Sequence, residues 1–353
     1  MLFAYPFQQH PLRDLHTSVR AFIRALHRDG LDPQNFDVQE CCTGELLARA
    51  QAGDELAEKL KAFYDAWFEL DDAERLQVRR AFVLTNRIRD QVAGIAPRIP
   101  LEDLPAGIRV PAHDLFVHLY EKALTKTRCK SHWEQFYARL PLKICPFCGV
   151  EILHHPDLLK QDYDHVLCKK RYPFAAVNLL NLVPCGRDCN QVFKHEKDMI
   201  WDEEAGIRRR AFYPFHDHGQ AIAVSLAGSE LPAMDNDPGE WEVTFQPDVE
   251  EVRTWVEVFE LRDRYRLEVF PAGYDQWRED FLDWLGPQAA PAAGWDAPSI
   301  RERMTAYSQT LEDERFKDKR FLKLALFQFL LAEADNGFFT ALAAQLNAQP
   351  RNN

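Results

Sequence analysis

The sequence predicts an α+β protein in which a cysteine-rich module at 111–218 lies between a helical region at 1–110 and a mixed strand and helix region at 219–353. In the first region apolar residues recur every three or four positions, which is the period of a helix. The second region holds cysteines in close pairs. The third contains β-branched and aromatic runs between turn-forming residues, a pattern typical of short strands.

The N-terminal region is predicted to be helical from about 11 to 95. Gly30 and Asp71 lie where helix ends are expected. The four prolines from Pro97 to Pro111 predict an exit from this helical region, and two short helices are expected at 112–124 and 130–139. The periodic apolar residues are Leu12, Leu15, Val19, Phe22 and Leu26, and then Leu56, Leu60, Phe63, Trp67 and Leu70.

The C-terminal region is predicted to begin with two strands, at 221–226 and 241–245, which are separated by a turn at 237–239. A helix is expected from about 249 to 264. The Ala/Pro/Gly-rich segment 287–298 predicts a loop. A final amphipathic helix is expected at about 318–346.

The composition is that of an ordinary globular protein, with 46% hydrophobic, 12% aromatic and 28% charged residues among 353. No apolar run approaches the roughly 18 residues of a membrane-spanning helix. The N-terminus also lacks the basic start and apolar stretch of a secretory leader. We therefore expect a cytoplasmic protein that does not associate with membranes.

The net charge of −12 argues against a protein that coats nucleic acid through bulk electrostatics. The segment 160–197 differs from the rest, because it carries seven basic and four acidic residues. The basic residues are Lys160, Lys169, Lys170, Arg171, Arg187, Lys194 and Lys197, and the acidic ones are Asp162, Asp164, Asp188 and Glu196.

Four of the eight cysteines form two close pairs, Cys145 with Cys148 and Cys185 with Cys189. In a reducing compartment this spacing favours a metal ion over disulfides. The Cys-Pro-Phe-Cys-Gly sequence at 145–149 is typical of a zinc knuckle, in which a tight turn directs two thiolates to one ion. The second pair would complete a tetrahedral site. Three further thiols are interpreted as buried in helical packing: Cys41, Cys42 and Cys129.

Polar residues suited to hydrolysis lie between and directly after the cysteine pairs. Asp164 and His165 are adjacent, Asn181 precedes the second pair, and Asn190 follows it, with Lys194 close by. A structural zinc ribbon would account for the cysteines equally well. It would not account for these residues.

With its elements in this order, the segment 145–197 resembles the HNH nuclease family, whose pattern runs from a C-x2-C pair through Asp-His and Asn-Leu to a second cysteine pair followed by Asn. The resemblance implies a ββα-metal module with a structural zinc. It implies that His165 is the general base and that Asp164 and Asn190 bind a catalytic Mg²⁺ or Mn²⁺. Asn181 would brace the loop or orient the base.

These residue types suit metal-dependent hydrolysis beside a structural zinc. A histidine with an ordinary pKa of about 6.5 can accept a proton from water near neutral pH. A hard cation prefers oxygen ligands, so a carboxylate and an amide carbonyl suit it, while cysteine suits zinc.

The chain departs from the family pattern in three respects. The second cysteine pair has three intervening residues, the nearby lysine is displaced by one position, and asparagine stands where the last histidine of the name is often found. His154, His155 or His195 could therefore replace a cysteine at the zinc. His195 is also a rival ligand of the catalytic ion.

Basic residues follow the Asp-His pair, where a nucleic-acid backbone could approach. We expect Lys169, Lys170 and Arg171, with Lys194, to contact phosphate. The alternative is a solvated charged surface.

These observations predict a metal-dependent endonuclease that hydrolyses phosphodiester bonds of nucleic acid, with DNA favoured over RNA. By family analogy it would be an effector of bacterial antiviral defence that works with an ATPase or sensor protein. The alternative function is a catalytically inactive, zinc-stapled module that binds nucleic acid or protein.

Overall fold

The computed structural model describes the chain apart from residues 29, 125, 159–162, 216–221, 232–238, 289–290, 292–293 and 349–353, and it describes only the backbone of 123 and 126–128. Lys160 and Asp162 therefore lie outside the described residues. The chain forms two compact units, Phe3–Gly219 with Met1, and Gln220–Asn353 with Leu2. Helices and small antiparallel sheets are both present, so the predicted α+β class is confirmed.

The first unit is mainly helical up to residue 139. Its helices are α1 (Arg13–Ala25), α2 (Val38–Cys41), α3 (Gly44–Ala52), α4 (Asp54–Glu69), α5 (Asp72–Thr85), α6 (Ile88–Val92), α7 (Ala106–His118) and α8 (Lys126–Arg139). The predicted boundary at Asp71 is confirmed, because Asp71 and Glu74 form a capping box at the start of α5.

Only some of the prolines that are predicted to end the helical region lie outside a helix. Pro97 and Pro100 precede α7, but Pro111 lies inside it. The helix expected at 112–124 therefore begins earlier, at Ala106. A proline costs a helix one hydrogen bond, and the burial of Ile108 and Phe116 on the inner face of α7 outweighs that cost.

An aromatic cluster joins these helices to the cysteine-rich module. The ring of Phe174 lies 5.0 Å from that of Phe116 on α7 and 5.7 Å from that of Phe82 on α5. Phe116 in turn contacts Phe63 on α4 at 6.1 Å. Phe174 belongs to the loop between the two strands described next, so the helical core holds this loop in place.

The module contains a short antiparallel hairpin, β1 (Tyr163–His165) and β2 (Leu182–Pro184), in which Asp164 pairs with Val183. A single π-helical segment, Cys189–Lys194, follows β2. A second hairpin of β3 (Trp201–Asp202) and β4 (Ile207–Arg208) comes next.

The second unit begins with strands β5 (Ala223–Ser225) and β6 (Thr244–Gln246), which pair antiparallel. Its helices are α9 (Glu250–Val258), α10 (Leu261–Arg264), α11 (Phe270–Leu285), α12 (Ala297–Glu312), α13 (Arg320–Glu333) and α14 (Asn336–Ala348). Among the described residues, no helix combines the length and the apolar character needed to cross a bilayer.

Two predicted helices of this unit are each divided. The helix expected at 249–264 breaks at Glu260, whose φ is +51°. The helix expected at 318–346 breaks after Glu333, because Ala334 is extended and the Asp335 carboxylate accepts a hydrogen bond from the Phe338 N–H, 2.9 Å away. Asp335 thus caps a new helix instead of continuing the old one.

Candidate active site and metal centre

The Cys145–Cys148 turn has the backbone geometry of a metal knuckle. The Gly149 N–H donates to the Cys145 carbonyl at 2.7 Å, and the φ of Gly149 is +68°. Such a φ favours glycine. Backbone N–H groups also point at the sulfurs, from Gly186 to Cys145 Sγ at 3.3 Å and from Glu151 to Cys148 Sγ at 3.4 Å. These donors would stabilise thiolates.

The predicted cysteines come together in a buried cluster. The thiol of Cys145 contacts those of Cys148, Cys185 and Cys189 at hydrogen-bonding distance. Burial raises the pKa of Cys145 and of Cys185, so ionised thiolates here call for a compensating cation. The cluster could hold a metal ion such as zinc.

The tightest set of donors includes a residue that the sequence does not predict. Cys145, Cys148, Cys189 and the carboxylate of Glu151 have donor atoms that all lie within 4.8 Å of one another. Cys185 is outside this set, although its thiol bonds to those of Cys145 and Cys189.

A cleft of about 610 Å³ lies beside this centre and gathers most of the predicted catalytic residues. Its lining includes Asp164, His165, Lys169, Lys170, Asn190 and Lys194. His195, the rival ligand, also lines the cleft, whereas Arg171 is not part of the lining.

His165 lies at the end of β1 with 8% of its surface exposed. Its Nε2 is 3.0 Å from the Ala176 carbonyl oxygen. A carbonyl oxygen only accepts, so Nε2 carries the proton and Nδ1 holds the lone pair. The ring of Tyr120 packs edge-on at 4.3 Å. Burial lowers the pKa of His165 to about 3, so the imidazole is neutral near pH 7.

Asp164 forms a buried ion pair with Lys194. The Lys194 ammonium donates to Asp164 Oδ1 and to the His165 carbonyl, both at 2.8 Å. Burial raises the pKa of Asp164 against the opposing effect of Lys194. Burial alone would lower the pKa of Lys194, but the charge and hydrogen bond of Asp164, together with nearby Cys168 and Cys185, outweigh it and the pKa is raised. Lys194 is thus a resident cation beside the predicted metal carboxylate.

Asn181 is fully buried behind the cleft and closes the loop between β1 and β2. Its Oδ1 accepts from the Leu167 N–H at 2.7 Å. Its Nδ2 donates to the carbonyls of Leu167 and Ala175, both at 3.1 Å. Ala175 immediately precedes the residue whose carbonyl bonds His165. Asn181 therefore braces the loop that orients the histidine.

Asn190 lies on the helical segment after β2. Its N–H donates to the Gly186 carbonyl at 2.9 Å, and its carbonyl accepts from the N–H of His195 at 2.9 Å. Its side chain is partly buried and belongs to the cleft lining. Asn190 thus faces the same space as Asp164 and His165.

The three consecutive basic residues each pair with a carboxylate. Lys169 contacts Glu121 at 2.7 Å, and its ammonium lies 4.9 Å from the centre of the Tyr120 ring. Lys170 contacts Glu196 at 2.6 Å, and Arg171 pairs with Glu203. Phosphate would therefore have to compete with these carboxylates for the same cations.

Three residues of the site are not predicted from the sequence: Glu151, Tyr120 and His132. His132 is buried, and its Nδ1 lies 2.5 Å from the hydroxyl of Tyr163, which lines the cleft next to Asp164. The sequence feature that could have identified Glu151 is its position two residues after Gly149 of the knuckle.

When compared with known proteins, the chain matches no family model, no curated protein and no solved structure.

Proposed function

We propose that the first unit is a metal-dependent endonuclease of the HNH class that hydrolyses phosphodiester bonds of nucleic acid, DNA in preference to RNA. One observation carries the proposal. A single cleft is lined by a carboxylate, an amide, an ammonium and a neutral imidazole whose Nδ1 is the unprotonated nitrogen. This combination suits general-base hydrolysis beside a cation.

The order of elements around the cleft supports the same class. Asp164 and His165 lie on β1, β2 follows, and Asn190 lies on the helical segment after it. This is the order that a ββα-metal module has. The Asn181 bonds to the intervening loop also agree with the bracing role that the resemblance implies.

His165 would accept the proton of the attacking water at Nδ1. A pKa of about 3 keeps Nδ1 unprotonated at physiological pH, but it also makes the imidazole a weak base. A divalent ion, when bound, would lower the pKa of a bound water and screen the phosphate charge. The Ala176 carbonyl would hold the Nε2 proton and fix the orientation of the ring.

The donor atoms in the cleft are of the type that a divalent ion needs, because Asp164 and Asn190 offer the oxygen ligands that Mg²⁺ or Mn²⁺ prefers. Lys194 already contacts Asp164 Oδ1 at 2.8 Å. Lys194 would therefore either share the carboxylate with the ion or give way to it. In both cases its ammonium would add positive charge to the cleft.

The cysteine cluster would hold a structural zinc through Cys145, Cys148, Cys185 and Cys189. The buried thiols and the backbone N–H groups directed at two of the sulfurs support this assignment. The module around the cluster has only short strands, so a metal would contribute much of its stability.

Lys169, Lys170 and Arg171 would contact phosphate weakly in the isolated chain, since each is paired with a glutamate and the net charge is −12. This supports delivery by a partner. That the partner is an ATPase or sensor protein of an antiviral system rests on the family resemblance alone.

A second candidate function is a zinc-stapled binding module without catalysis. The Asp164–Lys194 pair favours it, because an ammonium neutralises the carboxylate without any divalent ion.

The deciding experiment incubates the full chain with plasmid DNA and with RNA, in Mg²⁺, Mn²⁺ or EDTA. We expect metal-dependent cleavage, and His165→Ala should lower the rate by about 10²- to 10⁴-fold. His155→Ala is the matched control, since His155 is half exposed and lies outside both the cleft lining and the close set of metal donors. Cleavage by His165→Ala at the parental rate would refute the assignment, and no cleavage in any condition would favour a partner requirement or the binding module.

A further inference from the structure

The metal centre offers more donors than a tetrahedral ion needs. Among the described residues, four thiols and the carboxylate of Glu151 surround it. A structural zinc takes four ligands. Cys145, Cys148 and Cys189 form a close set with Glu151, and Cys185 contacts Cys145 and Cys189 from outside that set, so Glu151 and Cys185 are the two donors that can exchange.

Glu151 is fixed at the centre by its own backbone. Its carbonyl accepts from the Cys145 N–H at 2.8 Å, and its N–H donates to Cys148 Sγ at 3.4 Å. The residue is therefore part of the knuckle, and its side chain starts from a defined point close to the sulfurs.

The carboxylate of Glu151 also reaches across to the second cysteine pair. Oε1 accepts from the Asp188 N–H at 3.1 Å, and Oε2 accepts from the Cys189 N–H at 3.4 Å. A Cβ added at Gly186 would lie 2.0 Å from Oε2, so only glycine leaves room for this carboxylate. The loop from Cys185 to Cys189 thus curls around the carboxylate of Glu151.

We propose that Glu151 is an alternative ligand of the metal in this cluster and can take the coordination position of Cys185. The inference rests on the proposed zinc site and not on nuclease activity. The exchange leaves the charge of the centre unchanged, because one carboxylate replaces one thiolate and each carries a single negative charge. Zinc accepts a carboxylate oxygen as well as sulfur.

The proposal predicts unequal roles for the two cysteines of the second pair. In the full chain, Cys185→Ser should keep one zinc, with an affinity lowered by about 10- to 100-fold. This is the range found when a residue that supports the metal ligands is removed. Cys189→Ser should lose more than about 10³-fold, because the donors that remain then include both Glu151 and Cys185, which do not belong to one close set. Cys168→Ser is the control, since this buried thiol is outside the cluster and should leave zinc unchanged.

Zinc affinity would be measured by competition with a chromophoric chelator, and thiolate ligation by the charge-transfer absorption of the Co²⁺-loaded protein. Glu151→Gln in the Cys185→Ser background should reduce the affinity to that of Cys189→Ser, whereas Glu151→Gln alone should keep the metal on four thiolates. Equal loss in Cys185→Ser and Cys189→Ser, or insolubility of Cys185→Ser alone, would overturn the role of Glu151. Absence of zinc from the unaltered chain would instead refute the zinc site itself.

Discussion

Replacing Lys194 with methionine tests how much the buried ion pair contributes to stability. Lys194 is 1% exposed and the Asp164 side chain 4% exposed. Methionine keeps the length and the apolar stem of lysine but removes two hydrogen bonds, to Asp164 Oδ1 and to the His165 carbonyl. Asp164 would then be a buried carboxylate without its cation.

The expected cost can be worked out in two ways. Removing one partner of a buried pair destabilises proteins by about 3–5 kcal/mol. The structure can limit this loss by protonating the carboxyl group, and protonating an aspartate of ordinary pKa costs about 4 kcal/mol at pH 7. Both routes give a loss of about 4 kcal/mol at pH 7. The second also predicts that the deficit shrinks as the pH falls, because protonation becomes easier.

The measurement is the free energy of unfolding in guanidinium chloride at fixed free zinc, since bound metal shifts apparent stability. Lys170→Met is the matched control. Lys170 and Glu196 lie 2.6 Å apart at the same cleft, but their side chains are 63% and 49% exposed. An exposed pair contributes about 1 kcal/mol or less. A loss below about 1 kcal/mol in Lys194→Met, or equal losses in the two variants, would refute the reasoning.

Three further predictions concern the first unit. Burial lowers the pKa of His132 to about 4, so below about pH 6.5 the unfolded chain binds a proton at this residue that the native state does not. This residue should therefore lower the stability by about 3 kcal/mol between pH 6.5 and pH 4. In a pH series of thermal melts, Tm should change less with pH for His132→Gln than for the unaltered chain, and an unchanged slope would contradict this role of His132. Asn181→Ala leaves the buried N–H of Leu167 unpaired and should cost about 2–4 kcal/mol in a denaturant titration, whereas a neutral effect would contradict the bracing role. Removing metal with a strong chelator should expose 143–197 to protease, since structural zinc contributes roughly 10 kcal/mol in small modules; an unchanged digestion pattern, with zinc loss verified by elemental analysis, would contradict this.

The sequence predicts the site best where its residues are close in the chain and held by short elements. Asp164 and His165 share one strand. Asn190 and Lys194 share one helical segment, which follows β2 after the four residues 185–188. Helical periodicity and the Asp71 cap similarly locate the N-terminal helices. The positions of these helices and of the site residues follow from local sequence patterns, while the catalytic roles of the site residues stay predictions.

Contacts that depend on the direction of a side chain cannot be predicted from such local patterns. Glu121 pairs with Lys169 from 48 residues away, and nothing local indicates that contact. Glu151 is close to the knuckle in sequence, but its approach to Cys189 depends on how the second loop curls. Asp335 starts a new helix within a stretch of uniform apolar periodicity, because its capping hydrogen bond to the Phe338 N–H competes with continuation of the preceding helix.

The packing of Phe174 between Phe82 and Phe116 makes the tautomer of the proposed base a property of the helical core. Phe174 lies two residues before Ala176, whose carbonyl holds the Nε2 proton of His165. A displacement of α5 or α7 that moved the Ala176 carbonyl would weaken the hydrogen bond that favours the Nε2–H tautomer, although neither helix contributes a proposed reactive group. Substitutions far from the cleft, such as Phe82→Ala, would then be recorded in the ¹⁵N shifts of a single histidine.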